Sequence, residues 1–267
     1  MESALAHRVA MRRLLAEHGV AQPAFAAVRT LHEGRVAVDM VGLPAVLRPA
    51  TGDPHRGVFV LESADDLERH LHATLAESPT QEAILERPAE GVGLVAVVTS
   101  GGIELAEASP SAGTGWFAPT RLFGDRLAEV EDVAERAVRV LGLEDTTACV
   151  ELLAADDAIQ VLDVSASTPR RELAELLRAA TARPAAVLLL TGPPGPLPAG
   201  RVRRVGTLDK ALAFPGVSAV VVDVAVGAVV EAHDPEPHGY VLASGATNLQ
   251  AVERADAVAR LIDVEVW

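Results

Sequence analysis

The sequence feature that most constrains the fold is a pair of apolar segments separated by a glycine-containing loop, LPAVLRPATGDPHRGVFVLES, at residues 43–63. Short apolar runs bounded by turn residues are typical of strands, and the short connection predicts that they pair. Arg48 ends the first strand. Backbone amides of a glycine-containing turn can bind an anion, and Arg48, His55 and Arg56 would add charged donors. A phosphate-binding loop and a plain surface hairpin both explain this pattern.

The other segments alternate between helices and short strands, which predicts an α+β protein. Apart from the helix at 3–17, residues 1–63 are predicted to be mostly strand. Further helices are predicted at 64–78, 126–141, 171–183 and 248–262, and further strands at 83–88, 93–100, 102–109, 147–167, 200–206, 217–232, 238–246 and 263–267. Residues 109–124 are glycine-rich, and their Trp116 and Phe117 are expected in a flap or docking surface.

The proline- and glycine-rich segment at 191–200 predicts a link between two domains, because these residues interrupt helices and strand ladders. The first domain would span residues 1–190. It would consist of a glycine-loop subdomain at about 24–95 and a second subdomain at about 96–190. A small, mostly β unit would follow at 201–267.

Two carboxylates, Glu151 and Asp163, lie on predicted strands that are joined by a short polar turn. Their spacing makes them cross-strand neighbours on one face, which Ser165 and Ser167 continue. Facing carboxylates repel each other unless a cation lies between them, and oxygen ligands suit Mg²⁺. A solvated polar sheet face is the alternative, and the spacing does not decide between the two.

Composition narrows the range of partners. The net charge of −14 argues against binding to nucleic acid, whose phosphates need clustered cations. The sequence shows neither a signal peptide nor an apolar stretch long enough for a membrane helix, which predicts a cytoplasmic protein without a membrane partner. Cys149 is the only cysteine and Lys210 the only lysine, so arginine supplies nearly all of the positive charge.

Taken in order, these segments resemble the ATP-grasp superfamily, in particular its carboxylate–amine and peptide ligases and their relatives biotin carboxylase and D-alanine:D-alanine ligase. The segment AHRVAMRRLLAEHGVAQPAFAAVRT is similar to the opening helix and strand of that family. VGLPAVLRPATGDPHRGVFVLESADDLERHL is similar to its phosphate-loop region, AILERPAEG to its adenine hinge, and CVELLAADDAIQVLDVSAS to its metal-binding strands. The residues from 201 onwards are similar to the small β unit that follows.

The resemblance implies a fold in which two α+β subdomains grip a nucleotide. It implies an ATP-dependent ligase that phosphorylates a carboxylate, so that an amine can attack the acyl phosphate. ATP and Mg²⁺ would be the cofactors, and a small carboxylic acid or amino acid the substrate. The alternative is a non-catalytic binding or scaffolding subunit. The usual N-terminal domain has no counterpart in this sequence, which predicts a protein partner that supplies it, and a homo-oligomer is left open.

The resemblance also implies a role for particular residues. Arg8 and Arg48 stand at the positions of phosphate-binding lysines, and Glu86 stands at the adenine hinge. The implied catalytic residues are Arg48 and Arg170; the implied nucleotide-binding residues are Arg8, Arg48, Thr51, Gly52, His55, Arg56, Gly57, Glu86, Arg87, Pro88 and Ala89; the implied metal ligands are Glu151, Asp163 and Ser165.

Several positions depart from the family pattern. Gly93 stands where a glutamate usually binds the ribose, Asp163 replaces a glutamate, and Ser165 replaces an asparagine. Arginine in place of lysine keeps the charge but is bulkier and planar. Together these changes predict weak nucleotide binding and weakened catalysis.

Overall fold

The computed structural model describes residues 5–53, 56–88, 90–109, 115–193, 195–206, 208–232 and 237–267. Its α-helices are α1 (Arg8–Glu17), α2 (Leu31–Val41), α3 (Ala64–Glu77), α4 (Gly124–Val140), α5 (Arg171–Ala180), α6 (Asp209–Leu212) and α7 (Asn248–Ala259). Its β-strands are β1 (Phe25–Val28), β2 (Ala45–Pro49), β3 (Phe59–Leu61), β4 (Ala83–Glu86), β5 (Val92–Thr99), β6 (Gly102–Ala108), β7 (Gly115–Ala118), β8 (Ala148–Ala154), β9 (Ile159–Ser165), β10 (Ala185–Leu189), β11 (Gly200–Val205), β12 (Val217–Val222), β13 (Val229–Val230), β14 (Gly239–Ser244) and β15 (Val264–Val266). The α+β prediction is confirmed.

The chain forms two compact units. The first contains Met1–Ile103 and Gly124–Thr168, and the second contains Glu104–Phe123 and Pro169–Trp267. These units differ from the domains predicted from sequence. Strand β10, which precedes the predicted link, pairs with β14, which follows it, so the second unit includes both sides of the link.

An antiparallel four-stranded sheet with the strand order β1-β4-β2-β3 forms part of the first unit. Helices α2 and α3 pack against it over a core that includes Leu47, Leu61, Leu67 and Leu85. Helix α3 begins where the sequence predicted, because the backbone amide of Ser63 donates a hydrogen bond of 2.8 Å to the Asp66 carboxylate. This capping arrangement fixes the first turn.

Helix α2 was missed by the prediction that this region is mostly strand. The side chain of Thr30 caps it by accepting a hydrogen bond from the backbone amide of Glu33. Its buried face uses small residues, among them Gly34, whose Cα lies against Leu67 so closely that an added Cβ would be 2.8 Å from that side chain. Close packing of α2 against α3 therefore depends on a residue that weakens the helix signal in the sequence.

The first unit also contains the antiparallel strands β5, β8 and β9, against which α4 packs. The register places Glu151 directly opposite Asp163, as the sequence predicted. An irregularity in the ladder follows between Glu151 and Leu152. The two carboxylates thus lie on neighbouring strands of one sheet.

The second unit contains an antiparallel sheet with the order β12-β14-β10-β7-β6 and a three-stranded sheet with the order β13-β11-β15. The expectation of an exposed flap at Phe117 is wrong. Phe117 belongs to β7, is 2% exposed and packs against Ala186, Ala251 and Val252. Pairing of β7 with β10 carries it into the core.

In the part of the chain that the structure describes, no helix has the length and apolar character needed to cross a membrane.

Candidate functional site

A cavity of about 200 Å³ in the first unit gathers several of the predicted site residues. It lies at the end of β4, beside β2 and the paired strands β8 and β9. Its lining residues are Arg12, Pro23, Val46, Arg48, Glu86, Arg87, Pro88, Glu151, Leu162 and Asp163. The cavity therefore combines apolar side chains with two buried or half-buried arginines and three carboxylates.

Glu86, the last residue of β4, is 5% exposed and holds two arginines. Its Oε1 accepts a hydrogen bond of 2.5 Å from Nη2 of Arg12, and its Oε2 lies 3.1 Å from Nε of Arg48. The resemblance implied that Glu86 helps to bind adenine. Both of its oxygens face arginines, so its contacts fix the positions of two cations, and its role in adenine binding stays a prediction.

Arg12 is the residue of this site that the sequence analysis missed. It is 3% exposed, and its Nη1 donates a hydrogen bond of 2.6 Å to the backbone oxygen of Val161. Its Nε has no hydrogen-bond partner among the described residues. One signal could have found it, since Arg12 follows Arg8 by four residues and both therefore lie on one face of α1.

The surroundings of Arg48 disfavour the charged form of its side chain. Burial lowers the pKa of its guanidinium, the charges of Arg8 and Arg12 lower it too, and Glu86 and Asp163 act in the opposite direction. Its Nε makes no aligned hydrogen bond with the described residues. A partly desolvated cation with two further cations nearby favours an anion, which makes this end of the cavity suitable for phosphate.

Arg8 does not line the cavity, but it contacts a residue that does. Its Nη2 donates a hydrogen bond of 3.1 Å to Oδ2 of Asp163. The other carboxylate oxygen of Asp163, Oδ1, accepts a hydrogen bond of 3.0 Å from the backbone amide of Val164. The phosphate-binding role that the resemblance implied for Arg8 stays a prediction.

The contacts of the predicted magnesium ligands bear on whether these residues could bind a cation. Glu151 and Asp163 face each other, but both oxygens of Asp163 already accept hydrogen bonds, one of them from a cation. Ser165 is exposed, and its hydroxyl lies 3.1 Å from that of Ser167. Among the described residues, no group of three His, Cys, Asp or Glu side chains could hold a metal ion. As arranged here, these residues do not fit a divalent cation between the two strands.

The glycine loop does not extend the cavity. None of its predicted residues that the structure describes, Thr51, Gly52, Arg56 and Gly57, is among the lining residues. The loop packs instead on the C-terminal end of α3: the Thr51 hydroxyl contacts Ser78 at 3.1 Å, and Arg56 pairs with Glu77 at 3.0 Å. His55, a further predicted residue of this loop, lies outside the described residues.

The remaining predicted residues divide into three groups. Arg87 and Pro88 line the cavity, although the backbone amide of Arg87 already donates to the oxygen of Ala24 at 2.8 Å. Ala89 lies outside the described residues. Arg170 belongs to the second unit, where its Nε lies 2.7 Å from the Glu172 carboxylate.

Comparison with known proteins shows similarity in part of the chain. Residues 196–266 match the family model described as L-amino acid ligase C-terminal domain 2. An uncharacterised Sinorhizobium fredii protein, y4rH, is 29% identical over 147 residues, which are 51% of this chain and 31% of that protein. The chain thus spans about a third of the length of the curated relative it matches.

Solved structures resemble nearly the whole chain. An L-amino acid ligase from Bacillus licheniformis has a TM-score of 0.77 at 15% identity, with 99% of this chain and 73% of that chain covered. An N5-carboxyaminoimidazole ribonucleotide synthetase from Thermotoga maritima has a TM-score of 0.71 at 17% identity, with 99% and 74% covered. The chain has the ATP-grasp fold, which confirms the resemblance that its sequence motifs indicated.

Proposed function

We propose that this chain binds ATP through the cavity beside Glu86 and belongs to an ATP-dependent carboxylate–amine ligase. The observation that carries the proposal is the arginine pair Arg12 and Arg48, which Glu86 holds at the cavity of an ATP-grasp fold. The Arg48 side chain is 31% exposed, and its guanidinium can donate charge-assisted hydrogen bonds to phosphate oxygens.

The cavity would receive only part of the nucleotide. Its volume of about 200 Å³ is below the range of about 300–1,000 Å³ of pockets that enclose drug-sized ligands. Pro23, Val46 and Leu162 offer apolar surface for the face of a base, and Arg48 offers charge to the phosphate that follows. The other phosphates would lie outside this cavity.

The reaction proposed is the one that the family resemblance implies. A carboxylate oxygen attacks the γ-phosphorus, the bond from that phosphorus to the β-phosphate oxygen breaks, and ADP leaves. An amine nitrogen then attacks the acyl carbon of the acyl phosphate, phosphate leaves with the electron pair of the C–O bond, and the amide nitrogen loses a proton. Arg48 would stabilise charge on the phosphates. The match to an L-amino acid ligase domain supports amino acids as the substrates.

A second candidate is a subunit that binds ATP without turning it over. The ion pair between Arg8 and Asp163 favours it, because this pair occupies a carboxylate that the ligase reading assigns to metal binding. The predicted protein partner, and a homo-oligomer, belong with this candidate and stay predictions.

Two measurements test the proposal. ATP at about 100 times its dissociation constant should stabilise the fold by about 2.7 kcal/mol, which corresponds to a rise of roughly 5–10 °C in the melting temperature. No rise at millimolar ATP would contradict binding. ADP release should then be screened over pairs of amino acids. Release with one pair identifies the ligase, whereas binding without release for every pair supports the second candidate.

A further inference from the structure

Arg8 and Asp163 form an ion pair between α1 and β9 that places a positive charge directly on the carboxylate. Arg8 Nη2 lies 3.1 Å from Asp163 Oδ2, and the Arg8 side chain is only 15% exposed. The backbone amide of Val164 donates to Oδ1. The arginine is mostly buried, whereas the Asp163 side chain is 38% exposed, so the pair is more restrained than one between two fully exposed side chains.

The same pair lies within the electrostatic field of the cavity. Both Arg8 and Asp163 are among the charges that act on the Arg48 guanidinium. A divalent cation held by Asp163 would lie close to Arg8, which contacts that carboxylate directly. Repulsion between the two positive charges would then oppose its binding. A metal ion at Asp163 would therefore compete with Arg8 for the negative charge of this carboxylate.

The oxygen donors around Asp163 include one further carboxylate, and Arg8 offsets part of the negative charge of the two. Protein sites for Mg²⁺ supply one or two carboxylates and leave the other positions to water and to substrate phosphates. Here Glu151 is the remaining carboxylate on the neighbouring strand, and the Ser165 hydroxyl already contacts Ser167. Across the described residues, no third His, Cys, Asp or Glu completes a group suited to a metal ion.

We propose that Arg8 is the built-in counter-ion of Asp163 in place of a divalent cation, so that this chain binds its nucleotide without Mg²⁺. The inference rests on the proposed binding of ATP in the adjacent cavity. A guanidinium group suits this role because it stays charged at every physiological pH and donates several hydrogen bonds. While one of its nitrogens binds Asp163, others can donate to a phosphate oxygen.

The direct test is calorimetric titration of the whole chain with ATP, once in excess Mg²⁺ and once in EDTA. We expect affinity in EDTA to be within about threefold of that in Mg²⁺, or higher. ATP binding that is at least about tenfold tighter with Mg²⁺ would overturn the inference and leave the proposed function standing. Absence of binding in both buffers would overturn the inference and the proposed function together.

A second test uses Mn²⁺ alone as the probe, followed by its electron paramagnetic resonance signal. Arg8→Gln removes the counter-ion and frees Asp163, so this variant should bind Mn²⁺ at least about tenfold more tightly than the wild type. Arg13→Gln is the matched control, because Arg13 is an exposed residue of the same helix, and it should behave as the wild type does. If the wild type bound Mn²⁺ as tightly as Arg8→Gln does, or more tightly, the proposed role of Arg8 would be overturned.

Discussion

Arg48 lines the cavity beside Glu86 and is only a few residues from the glycine loop at residues 51–57, yet the cavity and the loop are stabilised in different ways. At the cavity, the buried Glu86 carboxylate holds two arginines, of which Arg48 is 31% exposed. In the loop, hydroxyl groups and an exposed ion pair bind the chain to α3. Charge is therefore available to a ligand at the cavity, whereas the described polar side chains of the loop mainly maintain local structure.

The largest effect should come from Glu86→Ala. This change leaves Arg12 buried without its carboxylate, and losing one partner of a buried pair costs about 3–5 kcal/mol. Denaturant unfolding should therefore show a loss of unfolding free energy of that size. Glu90→Ala, at an exposed position four residues further on, is the control and should change this free energy by less than about 0.5 kcal/mol. Similar losses in both variants would show that the Glu86 contacts do not stabilise the cavity.

A smaller effect is expected in the loop from Gly52→Ala. Gly52 has a φ of +103°, and an added Cβ would lie 2.8 Å from the backbone oxygen of Glu77. The strain should lower the unfolding free energy by about 1–3 kcal/mol. Gly101→Ala is the control, because its Cβ would meet only the Thr99 hydroxyl at 3.6 Å. If Gly52→Ala were as stable as this control, the close approach of Gly52 to the Glu77 backbone would be contradicted.

The smallest change in stability should follow Thr51→Val. The Thr51 hydroxyl contacts Ser78 at 3.1 Å and Thr80 at 3.0 Å, and its loss should cost about 1 kcal/mol. ATP affinity should not change, because the loop does not line the cavity. A weakened ATP titration without any loss of stability would instead assign Thr51 to nucleotide binding.

Local chemistry explains which parts of the fold could be predicted. Ser63 and Asp66 form a capping arrangement within three residues, so the sequence alone located the start of α3. Helix α2 was missed because its buried face includes small residues such as Gly34. Gly34 allows close packing against Leu67 of α3, a contact that the local sequence does not show. Phe117 was misplaced for a related reason, since only pairing with β10 shows that it is buried.

In the candidate site too, local patterns were predictable from the sequence and contacts between distant residues were not. The alternation of side chains along two strands predicted that Glu151 faces Asp163, because both strands are joined by a short turn. The partners of these charges could not be predicted in this way. Arg8 reaches Asp163, and Arg12 reaches Glu86, across long separations in sequence that only the folded chain closes. The family resemblance indicated the region, whose role stays a prediction, and the contacts show which carboxylates its arginines pair with.

The most direct test of ATP binding at the cavity compares two arginines of the same segment by calorimetric titration with ATP. Arg48→Gln removes a cavity cation and should weaken binding by about tenfold or more, the effect of one lost charge-assisted hydrogen bond. Arg56→Gln removes a loop cation that pairs with Glu77, and it should leave the affinity within about twofold of the wild type. Equal losses in the two variants, or a greater loss in Arg56→Gln, would contradict the placement of the nucleotide at the cavity.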